Sequence, residues 1–168
     1  MTVVLMMGVS GSGKTTASVL LAAREGWQML EGDSLHPPAN IEKMRHGFPL
    51  TDKDRWPWLQ AIAAEIDRWR VAGISGVVAC SALKRSYRDL LINGRPDVAL
   101  VYLQGSHDLI ANRLAARMGH YMPATLLDSQ FATLEEPGPD EHPIVVSVAH
   151  PTDEIVAQVM RALKERGM

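Results

Sequence analysis

Short unbroken apolar runs alternate along this chain with longer stretches in which apolar residues recur every three or four positions. Val3 to Met7, Gly76 to Ser81, Val98 to Leu103 and Pro143 to Val148 are of the first kind, with Trp27 to Glu31 as a weaker example. Runs without polar alternation suit strands buried on both faces of a parallel sheet. Of the second kind, Trp56, Leu59, Ile62, Ala63, Ile66 and Trp69 predict one face of a long helix starting near Thr51-Asp52. Pro57 is expected in its first turn, where a missing N–H costs little. Further helices are expected from Lys14 to Arg24 and from Thr152 to Arg166, the latter with Ile155, Val159, Met160 and Leu163 on one side and Gly167 as its stop. Strand alternating with helix predicts an α/β fold, a five-stranded parallel sheet flanked by helices, in a single domain spanning 1–168. There is no internal repeat, low-complexity tract or long linker.

Composition narrows the function. Of the residues, 46% are hydrophobic and 21% charged, and 17 basic against 19 acidic side chains give a net charge of -2. A nucleic-acid partner is disfavoured, since duplex binders carry a basic excess across a face. A local basic pocket for a small anion remains compatible. The single cysteine, Cys80, excludes an intramolecular disulfide and sits in an apolar run, fitting a cytoplasmic setting and a core role. Val3 to Met7 is too short to span a membrane and has no basic segment before it. Trp56, Trp58 and Trp69 read as core residues, and strand methionines as gap-fillers.

The strongest chemical signal is Gly8-Val9-Ser10-Gly11-Ser12-Gly13-Lys14-Thr15, which matches G-x-x-x-x-G-K-[ST] between a predicted strand and a predicted helix. Glycines let successive N–H groups turn inward around an anion, and the helix N-terminus adds partial positive charge. Lys14 is expected on the β- and γ-phosphates of ATP, the Thr15 hydroxyl on Mg²⁺, and Thr16 beside them in the ATP site. A GTPase is disfavoured by the lack of an N-K-x-D segment, and a motor or transporter ATPase by size. The third strand ends Ala79-Cys80-Ser81 without the usual acidic residue, so the metal is expected to rely on Thr15, with Asp33 a further carboxylate acting through water.

Three polar segments lie where a parallel sheet places its ligand crevice: Gly32 to Met44, Pro49 to Leu59, and Cys80 to Leu90. They contain Gly32-Asp33 with Leu35-His36-Pro37, Asn40-Ile41-Glu42-Lys43-Met44, Asp54-Arg55 with Pro57-Trp58-Leu59, and Ser81-Ala82-Leu83-Lys84. With Tyr87-Arg88-Asp89-Leu90-Leu91, Gln130-Phe131 and Leu134-Glu135, these make nearly the whole chain resemble the thermoresistant gluconate kinases. Departures are Thr15, where many members carry serine, and Glu31, where some carry aspartate; neither is expected to touch the chemistry.

The resemblance implies ATP-dependent phosphorylation of D-gluconate to 6-phosphogluconate, for gluconate utilisation. It also implies a sheet of the nucleoside-monophosphate-kinase type, a lid, and a homodimer. Gluconate needs a cation for its carboxylate and several hydrogen-bonding groups. Lys43, Arg55, Lys84 and Arg88 offer cations, with Asp33, His36 and His120 as further acceptor-site candidates, whereas Arg85 reads as a surface charge. Asp33 is expected to orient the acceptor hydroxyl and take its proton. Arg113 and Arg117 share a helix face within Asp108 to Met118. They suggest a lid over about 113–138 that brings arginine charge to the transferring phosphoryl group, with Arg117 catalytic beside Lys14 and Asp33. Competing readings are a kinase of another small hydroxy acid such as shikimate, a kinase of adenylyl sulfate, and a regulatory protein that binds ATP without transferring phosphate.

Overall fold

The computed structural model of the chain describes residues 1–116 and 124–168. Five strands, β1 (Val3–Met7), β2 (Gln28–Glu31), β3 (Gly76–Ala79), β4 (Val98–Gln104) and β5 (Ile144–Ser147), form one parallel sheet in the order β2-β3-β1-β4-β5. The described helices are α1 (Lys14–Glu25), α2 (Pro38–Arg45), α3 (Asp52–Ala72), α4 (Arg85–Ile92), α5 (His107–Ala116), α6 (Ala124–Thr133) and α7 (Thr152–Glu165). Short 3-10 turns occupy Gly32–Leu35 and Pro139–Glu141. The predicted α/β architecture and its five strands are present. None of the described helices is long and apolar enough to cross a membrane.

β1 shows why its sequence is apolar throughout. Val3, Leu5 and Met7 point into a core shared with Trp58, Leu59, Ile62 and Ile66 of α3 and Leu91 of α4. Val4 and Met6 point to the other face, against Leu21 of α1 and Ile155, Val159 and Leu163 of α7. A strand covered on both faces has no solvent side on which to place polar residues. β5 departs from that expectation: as an edge strand it buries Ile144 and Val146 but leaves Val145 48% exposed.

α3 begins at a capping box. Thr51 Oγ1 accepts the Asp54 N–H at 3.1 Å, and Asp54 Oδ2 accepts the Thr51 N–H at 2.9 Å. Such a cap contributes about 1 kcal/mol. Two expectations for this helix fail. Pro57 lies beyond the first turn, inside the helix, where it removes the N–H that would bond the Lys53 carbonyl. Trp56 is 40% exposed and Trp58, 3% exposed, takes the core position. The buried stripe thus runs Trp58, Leu59, Ile62, Ala63, Ile66 and Trp69, with Trp56 at its rim.

Candidate active site

At the carboxyl end of β1 the chain turns through Gly8–Gly13 into α1. Gly11 has a φ of 82°, and a Cβ there would lie 2.7 Å from Leu114 of α5, so both conformation and space demand glycine. Gly13, also left-handed, precedes α1 without a side-chain cap. The first N–H groups of the helix therefore remain available to an anion. Lys14 Nζ lies across the loop and donates to the Val9 carbonyl at 3.0 Å. Burial lowers its pKa below the ordinary 10.5, against the opposing pull of Asp33, Cys80 and Glu31. Ser10 is held from outside the loop: its N–H donates to Gln130 Oε1 at 2.6 Å, and Gln130 Nε2 donates to its Oγ at 2.7 Å.

Glu31, expected from the sequence to stay clear of the chemistry, stands at this end. Thr15 Oγ1 donates to Glu31 Oε2 at 2.5 Å, so the carboxylate at the end of β2 stands against the hydroxyl expected to meet the metal. Its signal was available, since Glu31 ends a strand at the crevice, as Asp33 nearly does. The described residues contain no group of three His, Cys, Asp or Glu side chains fit to hold a metal alone. A hydroxyl and one carboxylate do suit Mg²⁺. That ion takes few protein oxygens and completes its shell with phosphate and water.

The acceptor side grows from the ends of β2 and β3. Gly32 sits so near β3 that a Cβ would lie 2.7 Å from the Ala79 carbonyl, and its own carbonyl accepts Trp58 Nε1–H at 2.8 Å. This fixes the turn carrying Asp33, whose side chain is largely exposed. His36 stacks on Trp58 with ring centroids 4.2 Å apart and 15° between planes. The Asn40 amide lies 3.2 Å from His36 Nδ1 and donates to the Asp54 carbonyl at 2.9 Å. An amide donor at Nδ1 places the imidazole proton on Nε2, which is 4.0 Å from Asp33 Oδ1. Burial lowers the His36 pKa below 6.5, Asp33 opposing and Arg55 adding to the shift, so the ring is neutral at pH 7.

Pairing separates the predicted cations. Lys43 Nζ meets Asp54 Oδ2 at 2.7 Å, holding that carboxyl down to about 2. Lys84 Nζ meets Asp52 Oδ1 at 3.0 Å, and Tyr87 OH donates to the same Asp52 oxygen. The hydrogen bonds from Tyr87 and then Lys84 lower the Asp52 pKa. Arg55 donates to Tyr87 OH at 3.1 Å with its guanidinium 5.8 Å from the Tyr87 ring centroid, and it has no carboxylate partner among the described residues.

Arg88 stands apart from the crevice. It is 1% exposed; Nε and Nη2 reach Glu141 at 2.7 and 3.2 Å, and Nη1 donates to the Ala82 and Leu83 carbonyls at 2.9 and 3.1 Å. Burial alone would raise the Glu141 carboxyl, but the Arg88 and Gly138 hydrogen bonds carry it below its usual value. Ala82 has a φ of 45°, a left-handed conformation strained for alanine and held here by that grip. Arg88 thus supports the loop that presents Lys84. Arg113 is half-buried on α5, one residue before the Leu114 that packs on Gly11. Arg117 and His120, with the stretch 117–123 of the expected lid, lie outside the described residues. Cys80 is buried, its thiol pushed up to about 12, as suits a core residue.

A phosphate loop at the end of β1, facing a polar wall at the ends of β2 and β3, defines a P-loop kinase. A family model described as an AAA domain matches residues 3–137. The chain is 49% identical over 157 residues to a gluconokinase of Gluconobacter oxydans, covering 94% of this chain and 88% of that one. It is 43% identical over 162 residues to the thermoresistant gluconokinase of Escherichia coli, with coverage of 96% and 93%. A crystal structure of a gluconokinase from Sinorhizobium meliloti superposes with a TM-score of 0.89 at 45% identity, over 98% of this chain and 92% of that one. The chain belongs to the gluconokinase family, as its motifs led us to expect.

Proposed function

We propose that this protein transfers the γ-phosphoryl group of ATP to the terminal hydroxyl of D-gluconate, giving 6-phosphogluconate and ADP. The observation that carries the reading is the wall of His36, Asp33, Arg55, Tyr87, Asp52 and Lys84, built beside a complete phosphate loop. Polyhydroxy acids need both hydrogen-bond acceptors and one spare cation, and the wall supplies both. Arg55 is that cation, because Lys43 and Lys84 already neutralise aspartates.

Asp33 accepts the proton of the attacking hydroxyl as its oxygen bonds to phosphorus and the bond to ADP breaks. The transition state is loose, so orientation of that hydroxyl matters more than the strength of the base. His36 stays neutral with Nε2–H as a donor beside Asp33. Lys14 and the N–H groups at the start of α1 hold the phosphates, and Thr15 with Glu31 would hold Mg²⁺, directly or through water. Bound Mg²⁺ neutralises charge on the β- and γ-phosphates. A homodimer and a cytoplasmic setting belong to the same reading, and sedimentation velocity tests the first.

The decisive assay is ADP release across a panel that includes gluconate, shikimate and adenylyl sulfate. Gluconate should drive release and the others should not. Release without any acceptor would make the protein an ATPase, and no release with any acid would favour a regulatory ATP-binding role.

A further inference from the structure

Gln130 belongs to neither substrate wall, yet its amide clamps the phosphate loop at Ser10 through two hydrogen bonds, one in each direction. The chain that follows is fastened to the acceptor side. The Leu134 N–H closes the last turn of α6 on the Gln130 carbonyl at 2.9 Å, and the Glu135 N–H donates to the Leu83 carbonyl at 2.8 Å. Glu135 Oε1 accepts the Arg85 N–H at 2.9 Å. The Leu134 side chain packs against the core clusters on both faces of the sheet. The six residues Gln130 to Glu135 therefore join Ser10 of the donor loop to Leu83 and Arg85, on either side of Lys84.

We propose that Gln130 is a positioning residue for phosphoryl transfer, holding the phosphate loop in register with the acceptor loop Cys80–Lys84. The proposal rests on the kinase reading above. Gln130 engages only the Ser10 N–H and leaves the N–H groups at the start of α1 untouched, so nucleotide affinity is retained when it is lost. In-line transfer depends on the separation and angle of donor and acceptor, where a displacement of about 1 Å costs about 100-fold in rate. The defect therefore falls on kcat.

The test is steady-state kinetics of Gln130→Ala, Ser10→Ala and the double variant, with nucleotide affinity measured by titrating a non-hydrolysable ATP analogue. For Gln130→Ala we expect kcat to fall by about 10-fold or more, with both KM values and the analogue Kd within about 3-fold of wild type. Ser10→Ala removes one of the two hydrogen bonds and should lose less. Adding it to Gln130→Ala should cost almost nothing further, because the two side chains act as one unit. A kcat within about 2-fold of wild type in Gln130→Ala, or losses that multiply in the double variant, would overturn the clamp. So would an equal loss in nucleotide affinity, the mark of a merely structural role. A wild-type protein inert toward every sugar acid fails the kinase reading and this proposal together. A wild-type protein active on gluconate and matched by Gln130→Ala fails the clamp alone.

Discussion

The donor and acceptor sides of the crevice are built by opposite means. The donor side is one contiguous octapeptide, ending in Lys14 and Thr15, whose chemistry lies in backbone N–H groups, glycine conformations and a helix start. The acceptor side is a mosaic of side chains from α2, α3, α4 and the loops after β2 and β3. Its properties come from pairs distant in sequence, Lys43 with Asp54 and Lys84 with Asp52. A backbone cradle recognises any nucleoside triphosphate phosphate, whereas paired side chains can distinguish one hydroxy acid from another. Substitutions on the acceptor side should therefore leave ATP binding alone.

The largest effect is expected behind the acceptor wall. Arg88→Met leaves Glu141 buried without its cation, a change that costs about 3–5 kcal/mol. Urea denaturation should show that loss, and pairing the change with Glu141→Leu should recover most of it. If Arg88→Met unfolds at the wild-type midpoint, the ion pair is not what holds the Ala82–Leu83 turn. Next comes Asp33→Asn, which should keep ATP affinity and lower turnover by about 100-fold or more. Near-normal turnover would remove Asp33 from proton transfer and leave it a partner of the metal shell. Arg55→Ala should raise the gluconate KM by about 30-fold, the worth of one charge-assisted hydrogen bond of about 2 kcal/mol, with the ATP KM unchanged. A larger rise in Lys84→Ala than in Arg55→Ala would move the carboxylate to Lys84.

The same contrast governs what could be read from the sequence. Gly8–Thr15 was legible because everything it needs is local. Lys43, Arg55, Lys84 and Arg88 were equally visible as cations, but sequence could not sort them. Asp52 lies 32 residues from Lys84 and Glu141 lies 53 from Arg88, and only folding decides which charge is already spent. Glu31 was seen and set aside because its relation to Thr15 crosses from β2 to α1. The strands were clear where both faces are covered. β5 misled because an edge strand can carry the same apolar run with one face exposed, and α3 misled because three- and four-residue spacing put Trp56 on the buried face, where Trp58 lies instead.

The smallest expected effect sharpens the comparison through pH. Burial against Trp58 depresses the His36 pKa, so between that value and 6.5 the unfolded chain binds a proton that the folded chain refuses. Stability from this source is complete above pH 6.5 and is lost as pH falls toward the folded value. Asp54 acts lower, its contribution complete above 3.8 and lost as pH falls through about 2. Melting temperature should therefore fall in two separate windows, and His36→Gln should flatten only the upper one. An unchanged slope below pH 6.5 in that variant would mean that His36 is not the buried neutral group of the acceptor wall. The pKa of the donor loop's one cation, Lys14, is lowered by burial from 10.5, so His36→Gln rather than the pH alone separates the two sides. A pH response below 6.5 that His36→Gln abolishes thus belongs to the acceptor side.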